Sequence, residues 1–134
     1  MIGFFLVFSI LAQPSFSQKK QERQIRRLEN DASQLYDSRL WSEALDYYLM
    51  LDSISPGNAE YEFRIGVIYY HSIDKARSLD YFLSAIDHGK VDPDLDFYLA
   101  RAYHFNLDFD SAVKFYRKVL LVPDSIGHLD QAQR

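Results

Sequence analysis

Apolar residues return along this chain at helical spacing. Ile25, Leu28, Ala32 and Leu35 are separated by three, four and three positions, which lines them along one face of an amphipathic helix. Lys19, Lys20, Arg23, Arg26 and Arg27 then fall on its solvated face. Turn signals at Pro56-Gly57, from Gly89 to Pro93 and at Pro123 divide the rest of the chain. The pattern predicts helices near 19–38, 42–54, 59–71, 75–88, 94–105 and 109–121. Ser42 with Glu43, Asp74 and Asp108 are expected to open the second, fourth and sixth, because such side chains accept from the free N–H groups of a first turn.

A longer period organises these helices. Ala32, Gly66 and Ala100 are small residues 34 positions apart, and the same offset relates Leu35, Tyr69 and Tyr103. It also relates Ala44, Ser78 and Ala112, then Tyr48, Phe82 and Tyr116, then Leu51, Ala85 and Val119. Five columns at one offset describe a helix–turn–helix unit used three times. Small residues let the paired helices approach closely, and an aromatic from the second helix fills the space between them. Neither helix buries its face alone, so the expected fold is an all-α solenoid of stacked hairpins.

Composition agrees with that reading. The 134 residues are 48% hydrophobic and 25% charged, as in one soluble globular domain. Ten Tyr, ten Phe and one Trp against five Gly suit tightly packed helices more than a loop-rich active site. Cysteine is absent, which removes disulfides, zinc–thiolate sites, iron–sulfur clusters and a cysteine nucleophile. The net charge of -4 provides no overall attraction for nucleic acid. From Leu28 onward the balance is 10 Lys/Arg against 18 Asp/Glu, a net of −8, so a basic lead meets an acidic body.

At the start, Ile2 to Leu11 form an apolar run about half the ~20 residues a helix needs to cross a bilayer. Pro14 breaks it, and Ser15 and Ser17 place small side chains before a cut ahead of Gln18. Residues 1–17 therefore read as a secretory signal peptide with an unusual start that lacks Lys and Arg. An uncleaved anchor or a buried first helix is the alternative. Secretion without cysteine points to a bacterial periplasm.

The columns resemble the tetratricopeptide repeat (TPR). Ala32, Leu35, Ala44, Tyr48, Leu51 and Pro56 sit at the family's signature positions in the first unit, Gly66, Tyr69, Ser78, Phe82 and Ala85 in the second, and Ala100, Tyr103, Ala112, Tyr116 and Val119 in the third. The departures are the closing prolines, displaced to Pro93 and Pro123, and the missing early Trp, since Trp41 falls in an inter-helix turn. The resemblance implies units of about 25–58, 59–92 and 93–126, with 127–134 beginning a capping or fourth-unit helix. A narrower resemblance adds to it. A leader ending in FSQ, a basic helix, three repeats and the run DFYLARAYHFNLDFDSAVKFY from Asp96 to Tyr116 are similar to the N-terminal region of Bacteroidota cell-envelope proteins. In those proteins an OmpA-like domain follows, and no such segment stands in this sequence.

Motifs for chemistry are sparse. His71, His88, His104 and His128 form no H-x-x-x-H pair, and His104 with Asp108 is the nearest to a ligand spacing. Asp92, Asp94 and Asp96 lack the Gly and bidentate Glu of an EF-hand loop and are expected to cap and solvate the fifth helix. G-x-S-x-G, phosphate-loop and dinucleotide fingerprints do not occur. The expectation is a protein or peptide binder of the periplasm or cell envelope, without catalytic residues, metal or cofactor. An accessory or regulatory domain of an enzyme is the alternative, or a hydrolase using His71 or His104.

A helical solenoid binds through a groove built from the first helix of each unit. Register places Tyr36, Phe63, Arg64, Tyr70, His71, Tyr98, Arg101, His104 and Phe105 there, with Val67 and Phe97 beside them. Aromatics and Arg are enriched at interface hot spots. Some of these residues are expected to pack between units instead. Arg64 and Arg101 are the candidates for pairing with a carboxylate on a peptide.

Overall fold

A computed structural model describes residues 16–90 and 94–121. Among the described residues there are six helices and no strand: α1 Phe16–Asp37, α2 Trp41–Ile54, α3 Ala59–His71, α4 Ser78–Asp87, α5 Leu95–Phe105 and α6 Phe109–Leu120. The described chain is all-α. Consecutive helices pack on one another in order, and α3 also touches α5. The signal-peptide reading falls on residues outside those described, except that Phe16 and Ser17 begin α1. Pro93, Pro123 and the segment 127–134 lie outside them too.

Helix α1 is amphipathic as its spacing requires. Ala32 is buried, Ile25, Leu28 and Leu35 are partly buried against the first core, and Lys19, Lys20, Arg23, Arg26 and Arg27 are exposed. Helix α3 differs, because every residue from Tyr61 to Tyr70 except Arg64 is buried. A helix apolar on all sides belongs in an interior, and α3 serves two cores at once. Tyr61, Ile65, Ile68 and Tyr69 face α1 and α2, with Ala44, Tyr48 and Leu51. Phe63, Val67 and Tyr70 face the other way, with Phe82, Ala85, Leu95, Leu99 and Ala102.

Burial follows the 34-residue columns. Ala32, Gly66 and Ala100 are buried, as are Ala44, Ser78 and Ala112, and Leu51, Ala85 and Val119. In the aromatic column Tyr48 and Phe82 are buried, while Tyr116 is half-exposed on α6. Gly66 shows why a small residue is needed: a Cβ placed there would lie 2.6 Å from Phe82 Cε1.

Turns repeat with one exception. After α1 the chain closes through Arg39 at φ 58°, with Arg39 N–H donating to Tyr36 O and Leu40 N–H to Leu35 O. After α5 it closes in the same way through Leu107 at φ 62°, with bonds to His104 O and Tyr103 O. Both are Schellman closures, which place one residue in the left-handed region. The equivalent residue after α3 is Ile73, and a β-branched side chain resists that conformation. There Ser72 Oγ instead donates to Tyr69 O and accepts from Asp74 N–H, and a 3₁₀ turn at Lys75–Arg77 leads into α4. The expected helix 75–88 is therefore a 3₁₀ turn followed by α4.

Capping corrects three expectations, one of them at Asp94, which precedes α5 without a side-chain capping bond. Asp108 does cap α6, accepting from Ser111 N–H at 3.1 Å. Ser42 does not cap α2, because that helix already begins at Trp41 after Leu40. Trp41 is thus helical and not in the turn. Asp74 makes no capping bond and instead stands 3.8 Å from Arg77. The cap with the most bonds falls at a residue the sequence pattern did not single out: Asn58 Oδ1 accepts from both Glu60 and Tyr61 N–H at the start of α3.

Candidate functional site

Most of the residues assigned to a groove come together as one connected array of rings and cations. Tyr36 on α1 meets Trp41 and Tyr48 edge-on, and the Arg64 guanidinium lies 4.5 Å from the Tyr36 ring centroid. One period later, Tyr70 meets Tyr98 edge-on at 5.3 Å. Tyr98 also touches Phe63, Phe82 and Phe97. His71 stacks on Trp41 with centroids 4.6 Å apart and planes within 3°. At the far end, Phe105 sits 5.9 Å from Tyr70, and Arg101 lies over both rings. His104 stands apart from this centre, exposed beside Phe105 and Phe109.

Burial divides the set. Phe63, Val67 and Tyr70 are buried and pack between α3, α4 and α5. Tyr36, Arg64, Phe97, Tyr98, Arg101 and Phe105 are half-buried, and His71 and His104 are exposed.

Electrostatics at the α3 end centre on Glu60. It accepts from Arg64 Nε at 2.7 Å and from Lys90 Nζ, while Lys90 itself lies 4.9 Å from the Phe63 centroid. Burial alone would raise the Glu60 pKa, but the bonds from Lys90 and Arg64 hold it below the ordinary glutamate value. Burial holds the Tyr36 hydroxyl well above its usual range despite Arg64. Burial also lowers the His71 pKa, and the charges of Lys75 and Arg39 lower it further.

Lys75, Lys90, Glu60 and Trp41 belong to this array and were not assigned to it from sequence. A further column at the 34-residue offset would have exposed two of them. Trp41 stacks on His71, 30 positions on, and Lys75 lies over Phe105, also 30 positions on. Trp41 and Lys75 are themselves 34 apart.

A second polar cluster joins α3 to α4. Ser84 Oγ donates to Glu62 Oε1 at 2.7 Å, and His88 Nδ1 lies 2.8 Å from Glu62 Oε2. The carboxylate stands between serine and histidine, so the imidazole does not contact the hydroxyl as a general base must. Asp52 on α2 adds a buried Oδ1 without a hydrogen-bond partner among the described residues, and burial and then the Glu62 charge push its pKa up. Among the described residues no group of three His, Asp or Glu side chains converges to hold a metal ion. Asp108, the neighbour of His104 in sequence, is engaged as the α6 cap, and Asp96 pairs with Lys118 at 3.5 Å.

The His88 contact has a pH signature. The hydrogen bond to Glu62, then the Glu62 charge, raises the His88 pKa above its reference of 6.5. A base whose pKa is higher when folded contributes stability that is complete below the unfolded pKa and is lost as pH climbs through the folded one. His71, with its lowered pKa, runs in the opposite direction. Comparison with His88→Gln separates the two. The melting temperature advantage of the wild type over His88→Gln is expected to be largest near pH ~6 and to shrink by pH ~8.5. A difference that stays constant over that range contradicts the assignment.

No protein-family model matches this chain, and no curated protein matches it. Among the described residues no helix is long and apolar enough to cross a membrane.

Proposed function

We propose that this chain is a TPR-type scaffold that binds a protein or peptide partner along the face carrying α1, α3 and α5, within the periplasm or cell envelope and as part of a longer envelope protein. The observation that carries the reading is the recurrence of contacts as well as residue types. Tyr36 with Arg64 and Tyr70 with Tyr98 are pairs 28 positions apart, one period removed from each other. Trp41 with His71 and Lys75 with Phe105 repeat in the same way. Contacts that recur at the 34-residue offset are what successive hairpins stacked by one operation would produce, and they support the solenoid reading. Helix α6 leaves Phe109, Val113 and Leu120 exposed, an edge suited to a further unit. The envelope location rests on the leader-like start of the sequence.

A photo-activatable phenylalanine analogue at Phe97 or His104, in the native host, tests the face. Crosslinks to a protein are expected from these two positions and not from Lys114 or Arg117, exposed on α6. The crosslinked chain is expected in the envelope fraction with Gln18 as its first residue. Equal yields from both sets of positions refute the binding face.

A further inference from the structure

Resting on the reading that this face binds a protein, we propose that its partner presents an acidic, extended segment whose carboxylate is received by Arg101 and Lys75 over the rings of Tyr70 and Phe105. Arg101 Nε is buried and has no hydrogen-bond partner among the described residues. Buried donors in native proteins are nearly always satisfied, so this one retains an unmet demand for an acceptor. Lys75 comes from a different element, the 3₁₀ turn, and lies 5.5 Å from the Tyr70 centroid and 5.6 Å from that of Phe105. One of its three protons goes to Tyr70 O at 2.8 Å, which holds the ammonium in place. Arg101 lies 5.9 Å and 5.5 Å from the same two rings. The fold therefore brings two cations onto one pair of rings. Among the described residues neither has a carboxylate partner, whereas Arg64 and Lys90 nearby are both answered by Glu60.

Two cations on one pair of rings raise the local positive potential, and a bound carboxylate lowers it. A carboxylate suits the site because a guanidinium presents its donors in a fork that matches two oxygens, while an ammonium supplies a point charge beside it. His71 adds no competing charge, since its lowered pKa favours the neutral ring at pH 7. The surroundings make the patch specific. From Leu28 onward the chain has 10 Lys/Arg against 18 Asp/Glu, so the body as a whole gives no general attraction for anions and a carboxylate is drawn only to this local patch. That same balance disfavours nucleic acid, whose binding draws on many cations at once.

The test uses the full chain at about 150 mM salt, where long-range attraction is screened. The probes are a fluorescent ten-residue glutamate peptide, its glutamine counterpart and a twenty-nucleotide oligothymidine. The glutamate peptide is expected to bind, with Arg101→Gln weakening it about tenfold or more, the scale of one charge-assisted hydrogen bond. Lys75→Gln is expected to weaken it severalfold, and Arg101→Lys to fall between wild type and Arg101→Gln because it keeps charge but loses the fork. Arg117→Gln, on α6, is expected to change nothing. Circular dichroism of each variant establishes that it is folded. The proposal is overturned if the glutamine peptide binds as well as the glutamate peptide, if folded Arg101→Gln and Arg101→Lys both bind like wild type, or if oligothymidine binds more tightly than the peptide. Its failure is distinguishable from failure of the scaffold reading, because crosslinks from His104 that survive Arg101→Gln leave the face intact and reject only the acidic partner.

Discussion

Phe82→Ala is expected to remove ~3–5 kcal/mol of stability, because Phe82 is the largest fully buried side chain among the described residues. Phe82 has no exposed surface. Its ring stacks on Tyr98 at 5.5 Å and leans on Phe63 at 5.9 Å, so it ties α4 to both α3 and α5. Truncation loses the transfer free energy of the ring and leaves a cavity between three helices that cannot all close in. Against a total stability of ~5–15 kcal/mol for a domain, the melting temperature should fall by on the order of 20 °C. Leu83→Ala, next in sequence but exposed, should stay within ~0.5 kcal/mol. Thermal melts by circular dichroism make the comparison. A Phe82→Ala protein melting within a few degrees of wild type would show that α4 does not seat against α3 and α5 through this ring.

Gly66→Ala is expected to destabilise as well, although alanine in a helix interior ordinarily gains up to ~1 kcal/mol over glycine. The added methyl would lie 2.6 Å and 2.7 Å from Phe82 Cε1 and Cδ1. Phe82 cannot swing away, because its ring is enclosed by Phe63 and Tyr98. Overpacking of this kind costs ~1–3 kcal/mol and should outweigh the helical gain. The decisive measurement is a double-mutant cycle with Phe82→Leu. In that background the methyl has room, so Gly66→Ala should become neutral or favourable, with a coupling above ~1 kcal/mol. Strict additivity would mean that the two side chains do not meet.

The partition between pattern and packing can be followed at particular residues. The six helices were legible because each rests on a local periodicity that short sequence windows contain. The columns 32/66/100, 44/78/112 and 51/85/119 were legible because small or apolar residues recur at one 34-residue offset, and all nine positions are buried. The caps were less legible. Asp108 and Ser42 look alike in sequence, but only Asp108 stands at its helix boundary, since Trp41 starts α2 one residue early.

Helical spacing, the small and aromatic columns and the acidic balance are properties of the residues themselves, and they specified an all-α chain in which hairpins need partners to bury their faces. Which cations share which rings was decided by how the helices cross. Tyr70, buried at 5% exposure, packs between α3 and α5 instead of projecting from the array. Lys75 reaches Tyr70 and Phe105 from the 3₁₀ turn that stands, after α3, in place of the left-handed closure used at Arg39 and Leu107. Periodicity records what each helix must bury. The packing of the helices decides that Arg101 Nε is buried without a hydrogen-bond partner among the described residues.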